Sequence, residues 1–233
     1  MDQLKEAVYR ANMRLFESNL VLYTWGTVSG VDRDRGVVVI KPSGIPYEEL
    51  SPELMITVDL ETGAVIDAPG DSGKLKPSLD TLTHLEIYRA FDCGGVAHTH
   101  SEYATIFAQA RLPIRAMGTT HADYFQGDVP VTRPLKTGEV EKDYEKNTGR
   151  IITECFKERD PKAVPAVLVS YHGPFTWGDT PERAVEHAIV LEFIARIDYR
   201  TMILNPDATR PATSLIEKHY RRKHASGDVP GSE

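Results

Sequence analysis

The sequence predicts a single-domain protein of the α/β or α+β class, built as a three-layer sandwich of helices around a sheet. Two observations support this fold class. Segments with the apolar spacing of helices precede, separate and follow several short apolar runs that are typical of strands. The 233 residues contain no internal repeat and no linker, so their number suits one large domain.

The first part of the chain is predicted to contain a helix, a strand and a hairpin. Apolar residues at helical spacing predict an amphipathic N-terminal helix that ends near Asn19. The run Val37–Ile40 is predicted to be a buried strand. Residues 55–60 and 64–66 are predicted to pair around a glycine turn, and residues 67–78 are predicted to form a loop.

The middle of the chain is predicted to alternate between helices and a strand. Ser78 or Asp80 can cap a helix that runs to about Ala90. Residues 94–98 are predicted to form a short buried strand that is entered through glycines. Ser101 is then predicted to cap the next helix.

The last part is predicted to contain one strand and two helices. Residues 164–170 form an apolar run of strand length. Residues 179–182 combine a side-chain cap with a proline in the first turn, and apolar periodicity then continues to Leu204. A final helix is predicted to start at Thr213 or Ser214.

The C-terminal region is basic and then polar. Residues 218–224 are interpreted as the end of a helix, where cations complement the helix dipole, rather than as a nucleic-acid or membrane site. Residues 226–233 contain Gly and Pro and are expected to be a mobile tail. Residues 1–225 are therefore predicted to form the one domain.

The charge balance argues against two classes of partner. The chain has 27 Lys+Arg and 34 Asp+Glu, a net charge of −7, whereas nucleic-acid binders and membrane-surface helices need a basic face. Its cysteines, Cys93 and Cys155, offer at most one pair, which suits a reducing compartment. The start has no signal-peptide pattern, and no apolar run approaches the roughly 20 residues of a membrane span. We therefore expect a cytoplasmic protein.

Three histidines indicate a metal site. His98 and His100 are separated by one residue at the end of a predicted strand, so both side chains point to the same face. His172 also follows a predicted strand and precedes a Gly-Pro turn. Three imidazoles with a fourth position open are typical of a catalytic Zn²⁺ centre. His84 and His187 are interpreted as packing or surface residues.

Two acidic residues and one turn are further candidates for the site. Asp80 could join the metal shell or cap a helix. Asp123 lies in a stretch, residues 118–125, that is too polar for a core strand and too aromatic for an exposed loop, which is typical of a pocket lining. The turn of residues 41–44 could form a nest of backbone N–H groups for an oxyanion, with Lys41 supplying charge.

Seven ordered segments carry a resemblance to a known family. They are residues 24–29, 40–44, 77–81, 96–101, 118–125, 172–175 and 218–220. Over nearly its whole length the sequence resembles the class II aldolase and adducin family, and within it the L-ribulose-5-phosphate 4-epimerases. The resemblance implies an α/β/α sandwich with a central, largely antiparallel sheet. It also implies a homotetramer with active sites between neighbouring subunits.

The resemblance implies roles for individual residues. His98, His100 and His172 would bind zinc, with Mn²⁺ or Co²⁺ as alternatives, and Asp80 would lie beside or on the metal. Asp123 would donate and accept a proton. The residues implied to hold the substrate, a small sugar phosphate, are Gly26, Thr27, Lys41, Ser43, Gly44 and Ser78.

The implied reaction inverts C4 of a ketopentose 5-phosphate, converting L-ribulose 5-phosphate to D-xylulose 5-phosphate. The C4 hydrogen is not adjacent to the carbonyl, so simple deprotonation cannot invert this centre. Cleavage of the C3–C4 bond can, because the resulting aldehyde can rotate and be attacked on its other face. A metal ion would stabilise the enediolate, and a proton-transfer group would be needed on each face.

The sequence departs from the family pattern at three places. Its last residues lack the tyrosine that serves the epimerases as second acid/base, and Tyr103, His219 or Asp228 are the candidates to replace it. Thr27 stands where the family usually has asparagine, and Leu79 where it has a second serine. These departures leave two alternatives: an aldolase or decarboxylase acting on a related sugar or sugar acid, and a non-catalytic adducin-like module, which the three histidines disfavour.

Overall fold

Seven strands form one sheet at the centre of the part of the chain that the structure describes, residues 1–68 and 75–224. The structure is a computed structural model. The strands are β1 (Thr27–Asp32), β2 (Val37–Ile40), β3 (Ile56–Asp59), β4 (Val65–Asp67), β5 (Gly95–His98), β6 (Ala166–Leu168) and β7 (Pro174–Gly178). Their order is β4-β3-β2-β1-β5-β7-β6, and every neighbouring pair is antiparallel.

Helices cover both faces of this sheet. They are α1 (Asp2–Glu17), α2 (Thr81–Ala90), α3 (Glu102–Ala110), α4 (Thr119–Ala122), α5 (Thr137–Glu141), α6 (Tyr144–Cys155), α7 (Pro181–Leu204) and α8 (Thr213–His224). Alternate residues of β5 face opposite helices: Ala97 clusters with Ala184 and Val185 of α7, whereas Val96 lies in the core with Ile87 and Tyr88 of α2. With α1 packed beside α7 and α6 beside α2, the protein is a three-layer sandwich. The predicted fold class is confirmed.

Five elements were not expected from the sequence: β1, β7, α4, α5 and α6. The central strand β1 contains the polar residues Thr27 and Ser29, which are buried, and Ser29 Oγ is hydrogen-bonded to Tyr88. Strand β7 begins with a proline and ends with a glycine, two residues that disfavour strands. Helix α6 has a polar sequence. Because Gly149 has no side chain, α6 can pack so closely on α2 that a Cβ at this position would collide with Glu86.

The predicted cap at Ser101 is wrong, because its side chain accepts no hydrogen bond at the start of α3. Asp80 does not cap α2, but the alternative, Ser78, accepts a hydrogen bond from the backbone N–H of Asp80 at 3.3 Å just before that helix. At α3 the carboxylate of Glu192 takes the role instead, because it accepts hydrogen bonds from the backbone N–H groups of Tyr103 and Ala104 at 2.8 and 3.0 Å. The predicted cap of α7 is confirmed: the Thr180 side chain accepts from the backbone of Arg183.

Two predictions fall wholly or partly outside the described residues. These are the mobile tail, residues 226–233, and half of the loop predicted for residues 67–78, of which residues 69–74 are not described. Within the described ranges, no helix has both the length and the apolar character that crossing a lipid bilayer requires.

Gly95 is expected to be a point where the fold does not tolerate a side chain. A Cβ there would lie 2.4 Å from two backbone atoms of Pro181, and a backbone cannot move aside as a flexible side chain can. Gly95→Ala is therefore expected to lower the free energy of unfolding by about 2–3 kcal/mol. Urea denaturation measures this. Gly138→Ala is the matched control, since nothing lies within 4 Å of its Cβ, and an equal loss in both variants would contradict the prediction.

Candidate metal centre and substrate pocket

Three histidines converge at one end of the central strands. His98 ends β5, His100 follows two residues later, and His172 lies in the turn between β6 and β7. Because β7 pairs with β5, with Phe175 opposite His98, this turn is brought beside the end of β5. One ring nitrogen from each histidine lies within 4.8 Å of those of the other two. The structure thus brings together the three residues that the sequence suggested as metal ligands.

The protonation of these histidines suits a metal ligand. His98 Nδ1–H donates to the carbonyl of Pro174 at 2.9 Å, which leaves the lone pair on Nε2 free. Burial lowers the pKa of His98 and of His172 to about 3 in each case, so both rings are neutral at pH 7. Neutral imidazole is the form that binds a metal.

The donor set fits a divalent metal such as zinc. His172 Nδ1 is buried, and among the described residues it has no hydrogen-bond partner. A buried polar atom without a partner lowers the stability of the fold, and a metal ion coordinated by this nitrogen would supply the missing partner. Three imidazoles without a thiolate are the donors of an open, catalytic site rather than a closed structural one.

Asp80 faces this centre from the residue before α2. Its carboxylate accepts from Ser78 Oγ at 3.3 Å. Its negative charge opposes the lowering of the pKa that burial causes at His100 and His172, so the carboxylate lies near both rings. Asp80 is not part of the group of three ligands. A place beside the metal remains our prediction for it.

The histidines open into a cavity of about 490 Å³. Most residues that the sequence suggested for metal or substrate binding line it: Gly26, Lys41, Ser43, Gly44, Ser78, Asp80, His98, His100 and His172. Leu79 lines it too, and its side chain is exposed at the rim. Thr27 does not line the cavity. It is fully buried, lies opposite His98 in the sheet, and its hydroxyl has no partner among the described residues.

Lys41 places a buried cation at the wall of this cavity. Its Nζ donates to the carbonyl of Thr24 at 3.0 Å and lies 4.9 Å from the ring centroid of Tyr47. Burial lowers the pKa of Lys41 to about 8, although the charge of Asp80 opposes the shift. At neutral pH the side chain is still largely charged. It can therefore attract an anionic group of a substrate.

The predicted nest of backbone N–H groups is only partly available. The N–H of Ser43 donates to the carbonyl of Lys76 at 2.8 Å, so this donor is not free for an anion. Gly44 has a φ of +74°, which only glycine adopts without strain, and this conformation shapes the turn that lines the cavity. The Ser43 side chain of this turn and the Ser78 side chain from before α2 also line the cavity.

Asp123 and His219 form a separate pair. Asp123 Oδ1 lies 3.1 Å from His219 Nδ1, where α4 packs on α8, and Arg222 lies 3.8 Å from the same carboxylate. Neither residue lines the histidine cavity. Tyr124 beside them donates to Glu186, near the start of α7.

The position of this pair follows from α7. That helix begins against Gly95, the first residue of β5, whereas His98 is the last. Asp123 and His219 therefore lie toward the end of β5 that is opposite the histidines. Within one chain, the structure does not bring them to the metal centre.

The family assignment follows from a comparison with known proteins. Residues 6–199 match the family model described as "Class II Aldolase and Adducin N-terminal domain". The chain belongs to this family. The match covers most of the domain, including the three histidines, Lys41 and Asp123.

Solved structures similar to this class II aldolase-family chain confirm its fold. An L-fuculose 1-phosphate aldolase is 23% identical with a TM-score of 0.77, and the match covers 94% of this chain and 95% of that one. The L-fuculose 1-phosphate aldolase from Glaciozyma antarctica PI12 is 18% identical with a TM-score of 0.77, covering 95% and 81%. YgbL from Klebsiella pneumoniae, described as a candidate aldolase/epimerase/decarboxylase, is 22% identical with a TM-score of 0.71, covering 93% and 97%.

Of the remaining candidates in this class II aldolase-family chain, those that the structure describes lie outside the cavity. Tyr103 packs against Tyr199, with ring centroids 5.6 Å apart, and does not line the cavity. Asp228 lies outside the described residues. His84 and His187 are buried and hydrogen-bonded to Ser29 and to the Trp177 carbonyl, as expected for packing residues.

Sequence reasoning missed four residues of the cavity: Thr24, Trp25, Tyr144 and Glu145. The Trp25 ring centroid lies 5.9 Å from that of His100, at the cavity mouth. Tyr144 and Glu145 stand at the start of α6, with the Tyr144 ring 6.3 Å from that of His172. No local pattern marks the latter two, because the packing of α6 on α2 alone brings them to the site.

Proposed function

We propose that this protein is a zinc-dependent epimerase that converts L-ribulose 5-phosphate to D-xylulose 5-phosphate by cleaving and re-forming the C3–C4 bond. One observation carries the proposal: three histidine donors share a cavity with a buried lysine and the turn of residues 43–44. Membership of the class II aldolase family supports carbon–carbon bond cleavage. Two of the similar structures are named as aldolases of a sugar phosphate, which supports this substrate class.

His98, His100 and His172 would hold the metal ion, zinc or alternatively Mn²⁺ or Co²⁺. When bound, the ion supplies Lewis acidity toward the substrate carbonyl and the neighbouring hydroxyl. The chain's own groups bind the rest of the substrate. Lys41 offers its positive charge to the phosphate.

The remaining phosphate contacts would come from the turns beside Lys41. Ser43 offers a hydroxyl donor, Ser78 would offer one on turning away from Asp80, and Gly44 and Gly26 let the backbone approach closely. Gly26 is needed as glycine, because its φ is +79° and a Cβ would lie 2.5 Å from Val21. A substrate held at both ends is positioned for bond cleavage.

Epimerisation requires proton transfer at the C4 hydroxyl, and two residues are candidates for it. A base removes the proton from the C4 hydroxyl, the C3–C4 bond breaks, and its electron pair forms an enediolate while C4 becomes the aldehyde of glycolaldehyde phosphate. The hydrogen-bonded Asp123 and His219 are the pair that we propose to take this proton. Rotation of the aldehyde and attack on its other face give the epimer.

A neighbouring subunit would bring this pair to the cavity. Asp123 and His219 do not line the cavity of their own chain, and both are partly exposed. We therefore propose a homotetramer in which each cavity is completed by the Asp123–His219 pair of the next subunit. Cyclic symmetry allows one head-to-tail contact to repeat and complete every site.

A second candidate function stops at cleavage: an aldolase or decarboxylase that acts on a related sugar or sugar acid. The residues at the rim of the cavity favour this second function over the epimerase. Leu79 is 74% exposed there and offers no hydroxyl, and the buried Thr27 does not line the cavity. Both features weaken phosphate binding. Release of a free aldehyde or CO₂ would distinguish this function from epimerisation.

Incubation of the zinc-loaded protein with L-ribulose 5-phosphate, followed by NMR, tests both functions at once. Formation of D-xylulose 5-phosphate is the expected result. Accumulation of glycolaldehyde phosphate without the epimer would favour the aldolase. The same screen with related sugar acids would detect CO₂ release. Absence of every product at high enzyme concentration would overturn both.

Asp123→Asn is expected to lower kcat about 10²–10⁴-fold, because an amide cannot take up the proton. The change keeps the side chain's shape and its contact with His219, so KM is expected to stay nearly constant. Steady-state kinetics measure both. Asp92→Asn is the matched control, since Asp92 makes only an exposed ion pair with Lys162. Equal rates for the Asp123 variant and the unmodified protein would contradict the role of Asp123.

A further inference from the structure

Tyr144 brings a phenol into the histidine cavity from the same chain. It is the first residue of α6, and its ring centroid lies 6.3 Å from that of His172. Among the described residues that line this cavity, Tyr144 is the one tyrosine. The mechanism needs a proton-transfer group on each face of C4, and Asp123 with His219 accounts for one face.

The start of α6 is held firmly beside α2. The Thr83 hydroxyl donates to the carbonyl of Glu145 at 2.6 Å, and the Thr148 hydroxyl donates to that of Tyr144 at 2.9 Å. A Cβ on Gly149 would lie 2.5 Å from the Glu86 Cβ, so the two helices are in close contact. Because α2 begins directly after Asp80, this packing fixes the phenol relative to the metal centre.

The surroundings of Tyr144 favour the neutral, protonated form of its phenol. Burial raises the pKa of the phenol, and the carboxylate of Asp80 raises it further. The group is therefore a hydrogen-bond donor at neutral pH. Of the cavity's other titratable groups, Lys41 has its Nζ directed to the carbonyl of Thr24, and the histidines are the proposed metal ligands. The remaining two, Asp80 and Glu145, bring carboxylates and no hydroxyl donor.

We propose that Tyr144 is the second proton-transfer group and protonates the C4 oxygen when the C3–C4 bond re-forms. In this step the enediolate's electron pair forms the C3–C4 bond, and the π pair of the aldehyde moves to its oxygen, which takes the phenolic proton. The phenolate regains a proton from water, and Asp123 loses to water the proton that it took at cleavage. No group is oxidised or reduced. This inference rests on the proposed function.

Tyr144→Phe tests the inference, because it removes the hydroxyl and keeps the ring. The kcat of epimerisation is expected to fall at least about 100-fold, with KM changed less than about threefold. Cleavage continues while re-addition slows, so the fraction of turnovers that release glycolaldehyde phosphate is expected to rise. A purely structural role would not change this fraction. NMR measures both products.

Two variants and one binding measurement keep the test decisive. Tyr199→Phe, a tyrosine outside the cavity, is the matched control and is expected to leave kcat unchanged. Zinc binding by calorimetry is expected to be the same for Tyr144→Phe and the unmodified protein. If Tyr144→Phe does not fold, Tyr144→His supplies a smaller proton donor, and it is expected to lower the kcat optimum to a more acidic pH.

The outcomes separate this inference from the proposed function. An active unmodified protein, with Tyr144→Phe retaining its kcat and its product ratio, would overturn the role of Tyr144 alone. An unchanged pH optimum in Tyr144→His would do the same. An unmodified protein that forms neither product would overturn the proposed function, and the inference with it.

Discussion

His100→Ala is expected to weaken metal binding and to lower turnover by several orders of magnitude. His100 is the most exposed of the three histidines, so its loss should leave the core intact. Removing one of three protein ligands is expected to weaken zinc affinity at least about 100-fold, since even the loss of an outer partner of a ligand costs 10–100-fold. Lewis acidity contributes several kcal/mol to such a reaction, so kcat/KM is expected to fall about 10⁴-fold.

Calorimetry with zinc and steady-state kinetics measure the two effects together. His224→Ala is the matched control, because His224 is exposed on α8 and lies away from the cavity. It is expected to bind zinc and to turn over normally. A His100→Ala protein that remained active without zinc would refute the metal centre as the site of reaction.

Mixing two inactive variants is expected to restore activity. In the proposed tetramer, a subunit with Asp123→Asn keeps an intact metal centre, and a neighbour with His100→Ala keeps an intact Asp123–His219 pair. Where these two intact halves meet, the site is complete. Random mixing in equal amounts places the two halves together in about a quarter of the sites, so about a quarter of the activity should return.

Co-expression with two different tags, followed by purification of tetramers that carry both, gives the mixed protein. Refolded mixtures of each variant with itself are the controls and are expected to stay inactive. Light scattering checks the oligomeric state. If mixed tetramers form and no activity returns, then the proposal that neighbouring subunits share a site is wrong.

Elements with strong local patterns were predicted well. The hairpin of β3 and β4 turns at Gly63, whose φ of +74° requires glycine, and α7 begins with the predicted Thr180 cap and proline. These features depend on interactions between residues close in sequence. For that reason they can be recognised without the fold.

Elements that depend on distant partners were missed. Strand β1 is polar because Ser29 is hydrogen-bonded to His84 and Tyr88, which follow more than 50 residues later. The helix cap predicted for Ser101 fails because Glu192, far along the chain, supplies the acceptor. Tyr144 could not be suggested for the site, since only the contact between α6 and α2 places it there.

By itself, the sequence determined the fold class, the spacing of His98 and His100 at the end of one strand, and the choice of imidazole nitrogens as metal donors. The tertiary structure decided that His172 joins them, because the pairing of β5 with β7 brings its turn to the same end of the sheet. It also decided that Asp123 and His219 meet each other at the opposite end. The reason is physical: a strand's alternation is local, whereas the meeting of distant turns depends on sheet order and helix packing.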